Sequence, residues 1–313
     1  MITYNHELYI SEAIEGVMMQ RCNFEFELVI GEDFSTDNTL KICKESLKKY
    51  SSIRLISSDA NVGMIENFIR TINACSGKYL AFCEGDDYWI DPEKLQKQVN
   101  FLEQNSDYGM VYTRYMKKKA HSGEIEKTYP FQELPSGDIY CDYLLRSFIG
   151  TATVMIRKEL SDNYFSIFSG FALSWPMGDR PLWQYISSTT KVGLINDYTA
   201  VYRRNVNSVT SFRSMYDQIE FFKRSYDIRF YFSENVRAIP ENFRQKMLRT
   251  YNSELLRLYS IIPDHTNSRI IYNELKNKYG LTTIDILRYL GTKNYILRYI
   301  TGLFLRLIIL MRK

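Results

Sequence analysis
The chain has 313 residues, 45% of them hydrophobic and 24% charged, which suffices for one large domain or a domain with an extension. Its formal net charge of +4 is too small to point to nucleic acid; three scattered histidines (His6, His121, His265) and five cysteines without a CxxC pair (Cys22, Cys43, Cys75, Cys83, Cys141) argue against a zinc site or a disulfide framework. Free thiols, no basic-then-apolar leader and no apolar run near the ~20 residues of a spanning helix make the cytoplasm the expected location.

Short apolar runs alternate with helical periods over the first 115 residues. "MITY" reads as a strand fragment, followed by Ile10, Ala13, Ile14, Val17 and Met18 on one helix face. "FELVI" is a second strand, "GEDFSTDNT" a loop, and Leu40, Cys43 and Leu47 mark the next helix. "IRLIS" and the stripe Ile65, Phe68, Ile69, Ile72 come next, then "YLAFC" and a helix with Leu95, Val99 and Leu102, and "GMVYTRY" closes the series. This alternation implies an α/β fold, a Rossmann-like mostly parallel sheet with helices on both faces, whose ligands bind beyond the carboxyl ends of the strands.

That rule singles out the segments after the first, second and fourth strands. Glu32 and Asp33 follow the second, and Glu84, Asp86 and Asp87 follow the fourth, so these acids should share a cleft. Helix capping is an alternative account of such residues, and it suits Ser35 to Asp37 and also Asp91 before Pro92. It does not suit Asp86 and Asp87, whose mutual repulsion asks for a cation; hard oxygen ligands at a strand end are what Mg²⁺ or Mn²⁺ needs to hold a diphosphate. No GxGxxG or GxxxxGK[ST] stretch offers a competing nucleotide site.

Four stretches, "MITYNHELYISEAIEGVMMQ", "FELVIGEDFSTDNTLKI", "NVGMIENFIRTINACSGKYLAFCEGDDYWIDPEKLQKQV" and "MGDRPLW", come in this order within residues 1–205. Together they resemble a family 2 glycosyltransferase of the GT-A fold. The resemblance implies a nucleotide-sugar-binding half, residues 1–115, an acceptor half, 116–205, and a helical extension, 206–313. By the same likeness Thr3, Tyr4 and Asp33 line a nucleotide base pocket, Asp86 and Asp87 hold a metal and the donor diphosphate, Glu84 is an additional acid, and Asp179 is the catalytic base of an inverting enzyme. Capping of the helix before Pro181 is the other reading of Asp179. Arg203 and Arg204, after the strand "TAVY", are candidate cations for the leaving diphosphate, with solvated surface charge as the alternative. The sequence departs from the family pattern in a short first strand, in Ile2 where many members have proline, and in Asn205 where a histidine is expected. His6 is expected to position the loop after the first strand.

Tyr115 to Ser174 contains a mixed-charge stretch read as surface loops, then a strand in "GTATVMIRKEL". Phe165, Phe168, Phe171 and Trp175 read as core, or else as a sugar-stacking platform. Residues 216–280 read as two or three helices. Residues 286–313 carry six basic side chains and no acidic one, with Arg298, Arg306, Arg312 and Lys313 within an arc of roughly 120° on a helix, which suits contact with an anionic membrane surface. The alternative is a terminal helix docked on its own domain or on a second copy. The combined expectation is an inverting transferase that uses Mn²⁺ or Mg²⁺, a nucleoside-diphosphate sugar donor and a saccharide or lipid-linked saccharide acceptor, for bacterial surface polysaccharide. It would act in the cytoplasm or at the inner face of the plasma membrane. A non-catalytic binding module of a glycan assembly complex and a sugar-nucleotide nucleotidyltransferase are the alternatives; the latter should show a glycine- and lysine-rich phosphate loop, and none is present.

Overall fold
The apolar runs of the first hundred residues become short strands joined by helices. A computed structural model describes residues 1–119, 122–204, 212 and 214–310, with the backbone alone at 171–172, 295 and 306–310. Asn205, His121, Arg312 and Lys313, and the Arg306 and Phe171 side chains, lie outside what is described. The chain divides into two compact units, Met1–Ser211 and Phe212–Lys313.

In the first unit, β1 (Ile2–Thr3), β2 (Leu28–Glu32) and β3 (Ile53–Ser57) form a parallel sheet in the order β1-β2-β3. Crossovers run through α1 (Ile10–Met18) and α2 (Thr39–Lys49), whose apolar faces bury Ile10, Ile14, Val17 and Cys43. After α3 (Met64–Ala74) come β4 (Tyr79–Ala81), β5 (Tyr88–Trp89), α4 (Lys94–Gln104), β6 (Tyr108–Lys118), β7 (Ile125–Lys127), α5 (Tyr140–Leu145), β8 (Met155–Arg157), α6 (Lys158–Ala172), α7 (Asp179–Thr189) and β9 (Lys191–Arg203). These strands make a second, mixed sheet ordered β4-β8-β6-β9-β5, with β7 paired to β6. Parallel pairing therefore covers β1 to β3 and the β6–β9 pair, whereas β8 runs antiparallel to both β4 and β6.

Two elements differ from the sequence expectation. Part of the stretch read as surface loops is the hairpin of β6 and β7, whose β7 residues are all exposed and so carry no alternating pattern. Tyr88 and Trp89, inside the acidic stretch, form an edge strand on β9, with Tyr88 opposite Val201 and Trp89 opposite Ala200. α1 lies so close to this edge that a Cβ on Gly16 would come within 2.9 Å of the Trp89 backbone. The Trp89 indole donates to the Ala152 carbonyl at 2.8 Å, which ties the edge to the core.

The second unit is helical: α8 (Met215–Asn235), α9 (Glu241–Ile261), α10 (His265–Glu274, running on into a π-helical turn at Leu275–Tyr279), α11 (Thr283–Gly291) and α12 (Tyr295–Leu310). Capping boxes open α8 (Ser214, Asp217) and α11 (Thr282, Asp285). Ile219, Leu255, Leu258 and Tyr259 form its core, and the Phe222 and Tyr251 rings stack at 5.8 Å. Among the described residues, no helix is long and apolar enough to cross a membrane.

Candidate active site
The carboxyl ends of β1 and β2 are laced together by side chains. Asn5 and Phe34 both adopt left-handed backbone, φ 54° and 60°. The Asn5 side chain accepts the Thr36 backbone amide at 2.8 Å, and the Asn5 backbone N–H donates to Ser35 Oγ at 3.0 Å. Asn tolerates this conformation; an aromatic residue adopts it at a cost of about 1 kcal/mol or more. Thr3 is buried, its hydroxyl 3.2 Å from His6 Nδ1, and the His6 amide donates to Thr39 Oγ1 at 2.8 Å, so His6 fastens the loop after β1. Burial lowers the His6 pKa, with the nearby Asp86 and Asp37 charges opposing the shift. Tyr4 is 43% exposed and Phe34 48%.

Asp33 is buried, and its two carboxylate oxygens accept the amides of Val62 at 2.8 Å and Gly63 at 3.0 Å. Arg70 adds a cation 3.8 Å from Asp33 and donates to the Glu32 carbonyl at 2.7 Å. A carboxylate oxygen has two lone pairs, so Asp33 retains capacity for a further donor. Glu32 receives the Ser35 amide on one oxygen at 2.7 Å; its other oxygen is buried without a partner.

The turn after β4 approaches β1 directly. The Gly85 amide donates to the Ile2 carbonyl at 2.9 Å, and a Cβ at this position would lie 2.6 Å from Thr3 Oγ1. Only glycine lets the acidic turn seat against Thr3. Glu84 is pushed up to about 8, first by burial and then by the charges of Asp86 and Asp179. Asp87 is raised well above the carboxylate range by burial and by Asp86 and Glu84, an effect that the Arg203 amide at 2.9 Å partly opposes.

The β5–β9 pairing delivers Arg203 to this turn. Its guanidinium donates to the Asp86 carbonyl at 2.8 Å and to the Glu12 carboxylate, and lies 4.3 Å from the centre of the Tyr88 ring. Arg203 thus joins α1, β9 and the acidic turn and is itself buried, whereas Arg204 is exposed. Asp91 stands apart: it accepts the Glu93 amide at 2.9 Å and pairs with Lys97 at 2.7 Å, but α4 begins at Lys94 with Glu93 at its N-cap position, so Asp91 shapes the turn before the helix instead of capping a helix that opens at Pro92.

Asp179 is the first residue of α7. Its carboxylate accepts the Thr151 hydroxyl and the Arg180 amide, each at 2.6 Å, so it holds the helix entry and at the same time lies near enough to Glu84 to raise that group's pKa. The candidates Thr3, Asp33, Asp86, Asp87, Arg203 and Asp179 are therefore linked through direct contacts or shared neighbours. Glu12, Thr151, Arg70 and the amides of Val62 and Gly63 went unread, since each acts through a pairing far away in the chain that no spacing marks. Phe168 is core, packed with Tyr164 and Tyr185 at 5.2 and 5.8 Å and with Trp175 at 5.9 Å, so the stacking-platform alternative does not hold for it.

Among the described residues, no three His, Cys, Asp or Glu side chains converge as a metal cage. The carboxylates of the acidic turn, Glu84, Asp86 and Asp87, are hard oxygen donors, the chemistry that suits a divalent ion held by one or two carboxylates with substrate phosphates completing its shell.

Residues 1–165 match the profile of Glycosyl transferase family 2. The chain belongs to that family. An uncharacterized protein of Mycobacterium tuberculosis is 34% identical over 214 residues, 66% of this chain, which spans 58% of that relative's length. TuaG of Bacillus subtilis, whose name assigns it to glycosyl transfer in teichuronic acid biosynthesis, is 29% identical over 157 residues, 50% of this chain and 60% of TuaG. Among solved structures, S. aureus TarS in complex with UDP-GlcNAc superposes with a TM-score of 0.56 at 17% identity, covering 93% of this chain and 77% of the TarS chain. A Pyrobaculum calidifontis mannosyltransferase in complex with GDP-Man and Mn²⁺ gives 0.56 at 12% identity, covering 96% and 85%. These superpositions establish the GT-A architecture that the family 2 resemblance implied.

Proposed function
We propose that this family 2 member moves a glycosyl group from a nucleoside-diphosphate sugar to a saccharide or lipid-linked saccharide acceptor, with inversion at the anomeric carbon, in assembly of bacterial surface polysaccharide. The observation that carries the reading is the linkage of four segments: Asp33 after β2, the Glu84–Asp87 turn after β4, Arg203 at the end of β9 and Asp179 opening α7. The UDP-GlcNAc bound to TarS supports a nucleotide-sugar donor, and the name of TuaG supports a glycan product.

In this reading the nucleobase sits against Tyr4 and donates an N–H to Asp33, while Thr3, buried under Gly85 and in contact with His6, braces the pocket from behind instead of lining it. Asp86 and Asp87 would hold a Mn²⁺ or Mg²⁺ ion, which supplies charge neutralisation for the departing diphosphate. Arg203 keeps the Asp86–Asp87 turn in register. Asp179, fixed by Thr151 and the Arg180 amide, takes the proton of the acceptor hydroxyl as its oxygen bonds to the anomeric carbon from the face opposite the leaving nucleotide. Residues 286–313 would hold the protein at the anionic inner face of the plasma membrane; exposed Ile296, Tyr299, Ile300, Leu303 and Phe304 recur at helical spacing on α12 and support this. Arg298 instead donates to the Ile261 carbonyl at 2.5 Å.

The test is nucleotide release in the presence of acceptor. Asp179→Asn keeps the side chain's size and one acceptor oxygen for the Arg180 amide, with the Thr151 contact reversed so that the Asn amide donates to the hydroxyl, and it removes the base; it is expected to slow transfer at least ~100-fold. Unimpaired transfer by this variant would refute the base assignment. A wild type that releases nucleotide from none of the donors and acceptors tried would instead favour a non-catalytic module.

A further inference from the structure
The register of the mixed sheet sorts its side chains into two faces, because side chains alternate along a strand and directly paired residues share a face. Tyr115 lies opposite Ala200, and Ala200 opposite Trp89. One step toward the carboxyl ends of β6 and β9, Lys117 lies opposite Tyr202 on the same face. Arg203 belongs to the other face, with Lys118.

The turn at Gly150–Thr153 covers the first of these rows. A Cβ on Gly150 would come within 3.2 Å of the Tyr115 ring, and the Ala152 carbonyl accepts the Trp89 indole at 2.8 Å. Between those two contacts, Thr151 donates its hydroxyl to Asp179 at 2.6 Å. The second row lies beyond this cover, at the end of the strands where ligands of such sheets bind. Tyr202 is half-buried there, its ring 6.5 Å from that of Tyr115 and edge-on to it at 79°. At the same level the Asp87 carboxylate accepts the amide of the next residue, Arg203, at 2.9 Å. Burial raises the Tyr115 pKa, and Tyr129, Tyr202 and Asp87 lie close enough to add to the shift. Tyr115 packs against the hydrophobic core, so it backs the Tyr202 ring from inside.

We propose that Tyr202, braced by Tyr115, is the floor on which a pyranose ring of the acceptor stacks, between the acidic turn and the Thr151–Asp179 pair. The C–H face of a pyranose carries partial positive charge and packs on the negative face of an aromatic ring, and the phenol oxygen at the rim can meet a sugar hydroxyl. The inference rests on the glycosyl-transfer reading and assigns acceptor recognition to β9, where the sequence expectation looked to the aromatics of α6.

Saturation-transfer NMR of the full chain tests it, with the methyl glycosides of glucose, galactose, N-acetylglucosamine and glucuronic acid as probes. At least one probe should receive saturation from the wild type, keep it with Tyr202→Phe, and lose it at least ~5-fold with Tyr202→Leu, which keeps apolar bulk without the ring. Transfer to none of the probes, equal transfer with Tyr202→Leu, or equal loss with Tyr202→Phe would overturn the proposal. The wild-type signal should persist in excess UDP-GlcNAc; displacement would give the ring to the donor sugar and overturn it as well. The rise in Tm with a nucleoside diphosphate, measured on the same samples, should be the same in all three proteins, and its loss in Tyr202→Leu would show that the ring serves the fold or the donor instead. A nucleotide shift that persists in the wild type while no glycoside binds would remove the Tyr202 assignment and leave the glycosyl-transfer reading standing.

Discussion

Arg203 makes three kinds of contact at once, and each depends on its planar, permanently charged head. Replacement by lysine keeps the charge and loses the fork that serves Glu12 and the Asp86 carbonyl, with the stacking on Tyr88. Arg203→Lys is therefore expected to lower kcat/KM at least ~10-fold while the Tm changes by a few degrees, a split that steady-state kinetics beside calorimetry would reveal. Phe34 offers the reverse case. Its left-handed backbone costs about 1 kcal/mol that glycine would not incur, a relief that offsets glycine's own entropic cost of about 0.5–1 kcal/mol, so Phe34→Gly should change stability in urea titration by no more than about 1 kcal/mol, far less than loss of an aromatic residue with relaxed backbone. Lys94 is buried, 2.6 Å from Gln98 Oε1 and 4.2 Å from the Trp89 ring centre, and burial lowers its pKa from 10.5 to about 7. Between those values the unfolded chain binds the extra proton, so this residue makes stability rise from pH 7 to pH 10, by an amount on the order of a few kcal/mol. Lys94→Met should flatten that rise; an unchanged slope would show that Lys94 is charged in the folded protein.

Among the elements, β5 does the most for the site with the fewest residues. Two residues paired to β9 bring Arg203 to Asp87, and nothing in the local sequence announces them, because Tyr88 and Trp89 are too few to show a period and lie among acids. The hairpin strand β7 is illegible for another reason: all three of its residues are exposed, so no apolar pattern records it. The strands β2, β3 and β6 and helices α1 to α4 are legible, since burial on sheet faces and helix stripes writes the apolar runs directly. α12 allows its own test. If its exposed face meets lipid, Ile300→Glu combined with Phe304→Glu should abolish co-sedimentation with vesicles containing phosphatidylglycerol, and wild-type binding should weaken with added salt. Wild-type protein that never pellets with such vesicles would contradict the membrane reading.

For the molecule as a whole, the strand-end rule of α/β sheets singles out Asp33, Asp86 and Asp87 in the sequence, and the structure brings the segments that carry them together at β1. Asp179 and its neighbours were out of reach of that rule. The proximity of Asp179 to Glu84 and its bond to Thr151 depend on how α7 packs in the first unit, a property of the assembled core that no local pattern records. Family resemblance supplied the residue; the structure supplies its two hydrogen bonds and its electrostatic neighbour.

The central claim is a nucleoside-diphosphate site that uses the acidic turn. It is tested most directly by thermal denaturation of the full chain with a panel of nucleoside diphosphates, in Mn²⁺ or in chelator, for wild type and Asp87→Ala. A nucleotide at ~100 times its Kd should add about 2.7 kcal/mol, a shift of several degrees. The account predicts such a shift with one nucleotide in Mn²⁺, reduced in chelator and lost in Asp87→Ala. A shift of equal size in Asp87→Ala, or no shift of the wild type with any nucleotide, would contradict it.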